Sequence, residues 1–530
     1  MQVLFPPEDV SDRSVLGITQ VGNRSKLRGT FALVRTIKEH KGLILLLACV
    51  GQFMVILDVS IVNVALPDMK SSLGFTDSEL QWVLNAYTLS FAGLLLLGGR
   101  IADIFGRRKV FMIGLGVFTL ASMLGAVSTD RSVLIFARAV QGLGAAILSP
   151  ATLTIITTTF SEGKERAKAL GVWSAVAGAG GAAGALLGGV LTDLLNWRWI
   201  FLINIPIGVG AAFLTFLYLS ELKRKSDKKV ALDVLGSVLI TFSVTALVYA
   251  LVEGGSFGWT NSRTLLSFSL SGASLVYFLI HEGKVATNPI VPLGLLRLRQ
   301  LSVSNITMFF VGGSVFASWY FLSLFMQQIL GYSPLKAGLA FVPQTLAIVV
   351  GAQISSRLVG KIGVRPLIVV GPIISAVGIM LFHGISIHST YLGSLFLPSV
   401  LTTLGVGLAF TPLAVAATSG VHRSQAGLAS GLLNTARQLG GAVGLAGLSS
   451  VALSFTTSDT KTLIAQGRYG LHEAALVAAS AGYARSMEIS AVIALVAAAF
   501  GATLGGRQRR MANSSDEAMA VDTNLGIEGV

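Results

Sequence analysis

Runs of about twenty apolar residues recur fourteen times along the chain, and no other property restricts its fold so severely. A helix crossing the bilayer core needs roughly 20 residues at about 1.5 Å each. Apolar windows of that kind fall near 42–67, 79–99, 110–128, 133–158, 169–192, 199–220, 232–252, 264–281, 302–327, 337–356, 366–386, 392–416, 426–452 and 486–505. In hydrocarbon, backbone polar groups must be bonded within their own segment or within a closed barrel, so runs of this length read as helices. The expected fold is an all-α membrane protein of fourteen transmembrane helices. Of the 530 residues, 53% are hydrophobic and 12% charged, and the mean hydropathy is +0.75, far from a soluble globular composition.

The formal charge of +14 raises the question of nucleic acid. The basic residues lie in short loops between apolar runs and form no aromatic-interleaved stripe, so no nucleic-acid partner is expected. Their sidedness fits the positive-inside rule better. With these boundaries 29 Lys and Arg residues fall in the N-terminal arm, the even-to-odd loops and the tail, 8 on the other side, and two, Arg138 and Arg437, inside spans. Both termini are therefore expected on the cytoplasmic side of the plasma membrane. The first span reads as an uncleaved targeting signal, being too long for a signal peptide and followed by no cleavage-like site. A single cysteine, Cys49, rules out a disulfide within the chain.

A basic run, ELKRKSDKKV at 221–230, divides six helices from two more, and a second basic loop ending in LLRLRQ at 295–300 leads into a final six. The expected units are an N-terminal arm (1–41), a six-helix bundle (42–220), a linker with a central two-helix insert (221–300), a second six-helix bundle (301–505) and a tail (506–530) that reads as disordered. The loop GRIADIFGRR at 99–108 aligns with SRLVGKIGVR at 356–365, and the glycines of the fifth span have counterparts in Gly440, Gly441, Gly444 and Gly447 of the thirteenth. Two pseudo-symmetric halves around a central pair are a transporter-like plan. The outer stretch 453–485 is expected to be a loop, with LHEAALVAASAGYA able to form a short surface helix.

Acids locate the chemistry. From residue 283 to 458 the chain has no Asp or Glu, so carboxylate-based proton coupling belongs to the first half or the central pair. Asp58 stands about 24 Å into the first span, where an ionisable group is costly unless it faces a cavity or a partner. Asp193, Asp233, Glu253 and Glu488 lie at span ends and read as interfacial groups. Arg138, at a similar depth in the fourth span, is the candidate partner of Asp58, either in proton coupling or as a permanent structural pair. Arg437, near mid-membrane in the thirteenth span, has no acid within a span of its own half. Gln81, Asn85 and Thr88 share one face of the second helix and suit either a cavity lining or helix–helix bonding. Gln52, Asn305, Gln344 and Asn434 are further cavity candidates. Gly180, Gly184 and Gly188, with Gly189, form a small-residue stripe for close helix packing.

Taken together these segments resemble the major facilitator superfamily, and within it the fourteen-helix drug:proton antiporter family of the EmrB/QacA type. The resemblance spans about 42–505 and rests on LDVSIVNVALP at 57–67, GRIADIFGRRK at 99–109, RAVQGLGAA at 138–146 and NWRWIFLINIPIG at 196–208. In the fifth span Ala185 stands where that family's antiporter motif has proline. The resemblance implies a conformational latch at Gly99, Asp103, Gly106, Arg107 and Arg108, proton coupling through Asp58 and Arg138, and alternating access. It also implies efflux of hydrophobic or cationic small molecules, driven by a proton gradient without cofactor or metal, by a chain expected to be monomeric. No Walker-type phosphate loop is present, so neither an enzyme nor an ATP-driven pump is expected. A carrier for one dedicated metabolite or natural product, and a non-transporting membrane sensor or scaffold, remain the alternatives.

Overall fold

The computed structural model describes residues 41–219, 232–422, 425–466 and 469–504. The N-terminal arm, the basic linker and the tail expected to be disordered lie outside the described residues. Fourteen helices long and apolar enough to cross a membrane are present among them. The first six are α1 (Lys41–Leu73), α2 (Asp77–Ala102), α3 (Arg107–Ala126), α4 (Arg131–Thr159), α5 (Lys164–Leu194) and α6 (Trp199–Tyr218). The central pair is α7 (Val234–Phe257) and α8 (Ser262–Val285). The last six are α9 (Arg299–Ile329), α10 (Pro334–Ile362), α11 (Val364–Gly384), α12 (Tyr391–Thr418), α13 (Ala426–Ala465) and α14 (Leu471–Ala502).

The pairing of helices repeats with an offset of eight. In the first six, α1 packs on α5, α2 and α3 on α4, and α3 on α6; in the last six, α9 packs on α13, α10 and α11 on α12, and α11 on α14. Across the halves, α5 meets α10 and α2 meets α13, two contacts that the same offset interchanges. The inserted α7 lies against α2 and α13, with α8 outside it. Large apolar side chains such as Ile113, Leu120, Phe136, Phe213 and Val276 are exposed on the outer helices, which suits a lipid surface.

Glycine sets the closest approaches. A Cβ on Gly184 would lie 2.8 Å from the Leu57 carbonyl oxygen and 2.7 Å from Ser60 Cβ, and one on Gly188 would lie 2.7 Å from the Ile61 carbonyl. The α5 backbone thus rests directly on α1. Gly189 does the same against Pro334 at the start of α10, at 2.7 Å. The helix is unbroken through Ala185, a buried residue whose carbonyl faces Gly338.

The two halves share one apolar core at one end. Opposite the basic loops a single core joins Ile61–Met69 of α1 and Ala185 of α5 to Tyr320–Met326 of α9, Phe341 of α10 and Tyr483 of α14. Ser323 Oγ also donates to the Asn63 carbonyl (2.6 Å) and Gln327 Nε2 to that of Val64 (2.9 Å) across the same seam. At the basic end the core parts, one portion lying within the first half and another centred on Leu301, Ile368, Leu413 and Leu432 in the second. The apolar core is thus continuous between the halves at one end and divided at the basic end, where Leu96 of α2 packs on the second-half cluster.

The stretch 453–485 differs from expectation. Most of it is helix: α13 continues for 40 residues to Ala465 and α14 begins at Leu471. At 1.5 Å per residue α13 is about 60 Å long, roughly twice the bilayer core. Alanine-rich, proline-free sequence keeps the helical state favourable outside the membrane, and Ala474, Ala478 and Gly482 are buried within the hairpin. Glu488 accordingly sits inside α14, bonded to Arg485 at 2.9 Å, rather than at a helix start.

These approaches predict opposite outcomes for two glycine substitutions. Gly184→Leu should lower the thermal midpoint of the purified protein, because overpacking a tight contact costs about 1–3 kcal/mol. Gly116→Ala, where nothing lies within 4 Å of an added Cβ, should leave the midpoint unchanged or raise it slightly. Equal midpoints in the two variants would mean that α1 and α5 do not pack this closely.

Candidate functional site

Asp58 and Arg138 meet. Arg138 Nη1 donates to Asp58 Oδ2 at 2.5 Å, and the two side chains are 1% and 0% exposed. Depth alone left open whether their helices were neighbours; the packing of α1 against α4 brings them together. Gln141 completes the pair, its Nε2 donating to Asp58 Oδ1 at 2.7 Å while its Oε1 accepts from Arg138 Nη1 at 2.7 Å. Arg138 Nε donates to the Val83 carbonyl of α2 at 3.0 Å.

The shell around this triad is polar on one side and aromatic on the other. Ser122 of α3 accepts from Gln141 Nε2 (3.3 Å) and from Asn204 Nδ2 of α6 (3.0 Å), and donates to the Phe201 carbonyl (3.0 Å). The guanidinium lies over the Tyr87 ring at 4.4 Å and the Phe201 ring at 5.8 Å, a cation–π arrangement. Five helices thus contribute to one buried carboxylate. Arg138 Nη2 and Asn204 Oδ1 lack a protein partner. Gln141, Ser122, Asn204 and Tyr87 were not picked out from the sequence. Gln141 was within reach, standing one turn from Arg138 on the same helix face; the others join only through tertiary packing.

The chemistry open to this arrangement is proton exchange. Two donors satisfy the ionised carboxylate, so protonating Asp58 removes the ion pair and leaves Arg138 and Gln141 to find other acceptors. A buried ion whose partner is withdrawn is strongly disfavoured. In the observed conformation the site is sealed from both sides.

The other candidates are dispersed. Gln52 is buried and accepts from Ser149 Oγ at 3.0 Å. Gln81, Asn85 and Thr88 are buried too, and Gln81 Oε1 and Asn85 Nδ2 find no partner. Gln344 is buried in α10, and Asn305 bonds its own helix at Leu301. Arg437 is half-buried over Phe410, donating to Asn434 Oδ1 at 3.0 Å. Of the latch residues, Gly106 takes φ 90° between α2 and α3. Arg107 donates to Thr158 and Thr159 of α4, and Arg108 to the Phe216 carbonyl of α6. Those bonds stay within the first half. Gly99 approaches Pro150 of α4, and the Asp103 side chain lies outside the described part. Arg100 is the residue of this loop that reaches further, to the carbonyls of Asn288 (2.9 Å) and Pro289 (2.5 Å) ahead of α9.

Comparison with known proteins places this arrangement. A family profile for the Major Facilitator Superfamily matches residues 48–445. The chain is 43% identical to the cephamycin export protein of Amycolatopsis lactamdurans over 85% of its own length and 90% of that protein. It is 40% identical to the puromycin resistance protein of Streptomyces alboniger, covering 79% and 82%. Among solved structures, a bacterial homolog of the human lysosomal transporter Spinster superposes with a TM-score of 0.63 at 17% identity, over 87% of this chain and 96% of that one.

Removing one charge should cost more than removing both. Arg138→Met leaves Asp58 buried without its cation, a loss of about 3–5 kcal/mol, and should lower the thermal midpoint sharply. Adding Asp58→Asn to Arg138→Met should restore much of that loss. A double variant no more stable than the single one would show that the pair is not coupled.

Proposed function

The chain belongs to the major facilitator superfamily, and from that premise we propose that it is a proton-coupled exporter of hydrophobic or cationic small molecules such as drugs, antibiotics or dyes. The observation that carries the reading is the sealed ion pair of Asp58 and Arg138 in a chain whose relatives are named for antibiotic export and resistance. An ionisable pair at this depth is a functional site by default. The sidedness of Lys and Arg supports a plasma-membrane orientation with both termini cytoplasmic. On that orientation the basic end, where the cores part, faces the cytoplasm.

A proton reaching Asp58 cancels its charge and frees Arg138 and Gln141, whose bonds reach α1, α2 and α3 from α4. The first half then repacks, and its contacts with α9 and α10 at the opposite end change with it. Losing the proton restores the pair and the observed arrangement. A proton gradient drives this cycle without a cofactor, a charge moved across the membrane being worth about 2.3 kcal/mol per 100 mV. Asn434, Arg437 and Asn305 are the polar candidates left partly exposed for substrate. The cephamycin-export relative also favours a narrower reading, in which the substrate is one dedicated natural product.

Asp58→Asn, reconstituted in proteoliposomes, should lose pH-driven accumulation of an amphiphilic dye down to the level of empty liposomes, while dye exchange without a gradient persists. Undiminished driven transport in this variant would remove Asp58 from the mechanism.

A further inference from the structure

The central pair α7–α8 plays no part in the proposed cycle, yet its basic end holds three buried ionisable groups. Asp233 caps α7, its Oδ1 accepting from Gly236 N–H at 2.9 Å and lying 2.8 Å from His281 Nε2. Glu282, on the last turn of α8, accepts from Val291 N–H through Oε2 at 3.0 Å. The remaining oxygens, Asp233 Oδ2 and Glu282 Oε1, are buried without a hydrogen-bond partner and face each other beside Gly236. Gly236 makes the meeting possible: a Cβ there would lie 2.5 Å from Asp233 Oδ2 and 2.6 Å from Glu282 Oε1. Glu282 is 4% exposed and Asp233 9%.

A carboxyl group donates a hydrogen bond only when protonated, so a single proton taken up by the pair would satisfy both of these orphaned oxygens. Two ionised carboxylates held this close and out of water would repel strongly. Burial works to raise the Asp233 carboxyl, but the bonds from Gly236 and His281 hold it below the usual carboxylate range, which leaves the shared proton on Glu282. The surrounding charges are few. His281 from α8 faces Asp233, Lys284 further along is exposed, and α13, which also packs on α7, carries no ionisable residue between Ala426 and Arg437. Arg100 comes from α2 but directs its guanidinium to the Asn288 and Pro289 carbonyls.

We propose that Asp233 and Glu282 form a second proton-binding site, separate from the Asp58 pair, whose occupancy fixes the 286–291 segment on which Arg100 is anchored. With the proton bound, Glu282 stays beside Asp233 and holds the Val291 amide, so the segment presents its carbonyls to Arg100. When the proton leaves to water at the basic end, the carboxylates repel across Gly236, Glu282 withdraws from Val291, and the anchor loosens. Arg100 belongs to α2 and the segment leads into α9. The site therefore controls a strap between the halves at the end where their cores part.

Hydrogen–deuterium exchange on the full-length protein tests this, reading the peptide that covers 286–298 at about pH 6 and about pH 9, either side of the range in which a shared carboxyl proton is lost, with the intrinsic pH dependence divided out. Wild-type protection of the 290–291 amides should fall about threefold to tenfold at the higher pH, the order expected for losing one ordinary hydrogen bond. Glu282→Gln still accepts from Val291 and donates to Asp233, and should show no such fall. Asp233→Asn, the second variant should Glu282→Gln fold poorly, should be equally flat. Asp58→Asn should retain the wild-type fall, which separates this site from the coupling pair whatever the outcome for transport. A pH-independent wild-type segment, or a fall in Glu282→Gln equal to that of wild type, overturns the proposal.

Discussion

A carboxylate and a guanidinium taken out of water in the middle of a bilayer must satisfy each other, and the first half of the chain is arranged around that requirement. Desolvating each ion costs several kcal/mol, and mutual attraction offsets this only when geometry is good and the remaining hydrogen-bonding capacity is used. Asp58 and Arg138 meet both conditions through Gln141 and the Val83 carbonyl, with the Tyr87 and Phe201 rings against the guanidinium. Because those groups come from α1, α2, α3, α4 and α6, a change in the charge of Asp58 is felt by every helix of the bundle except α5.

The missing helix supplies the complementary element. Gly184 and Gly188 seat α5 on the α1 backbone, and Gly189 seats it on the start of α10. One helix therefore belongs to the packing of the first half and to its seam with the second. Contacts this tight leave little room for continuous deformation, so the halves are expected to move as bodies and to exchange one set of seam contacts for another. The joined core at one end and the parted cores at the other are what such a pair of bodies looks like in one of its two positions.

Much of this was legible in the sequence because lipid enforces it. Fourteen apolar runs of spanning length leave little choice but fourteen helices, and an acid far from either end of such a run marks itself. Helix ends were less legible: the 453–485 segment looked polar enough for a loop, but polarity decides only where the membrane stops, and alanine keeps the helix going beyond that point. The buried carboxyl pair was missed for a related reason. Asp233 and Glu282 each sit at a helix end, which in one dimension reads as interfacial. Only the antiparallel packing of α7 on α8 brings the two ends together, over a glycine small enough to let them touch. Arg100 was equally hidden, since its neighbours Arg107 and Arg108 carry the recognisable motif but bond only within their own half.

The positions of the two titratable sites suggest why a carrier would keep them apart. A charge inside one half, as at Asp58, alters the packing of that half and so the relation between substrate and gradient. A charge on the strap between α2 and α9 leaves both halves intact and alters only the tether that joins them at the basic end. Were both functions assigned to one carboxylate, proton loss to the basic side would unload the coupling site and release the tether in a single event, and the halves would be free to rock without cargo. Glu282 lies at the basic end of α8 and Asp58 is sealed within the first half, so the two carboxyl groups are placed to gain and lose protons separately.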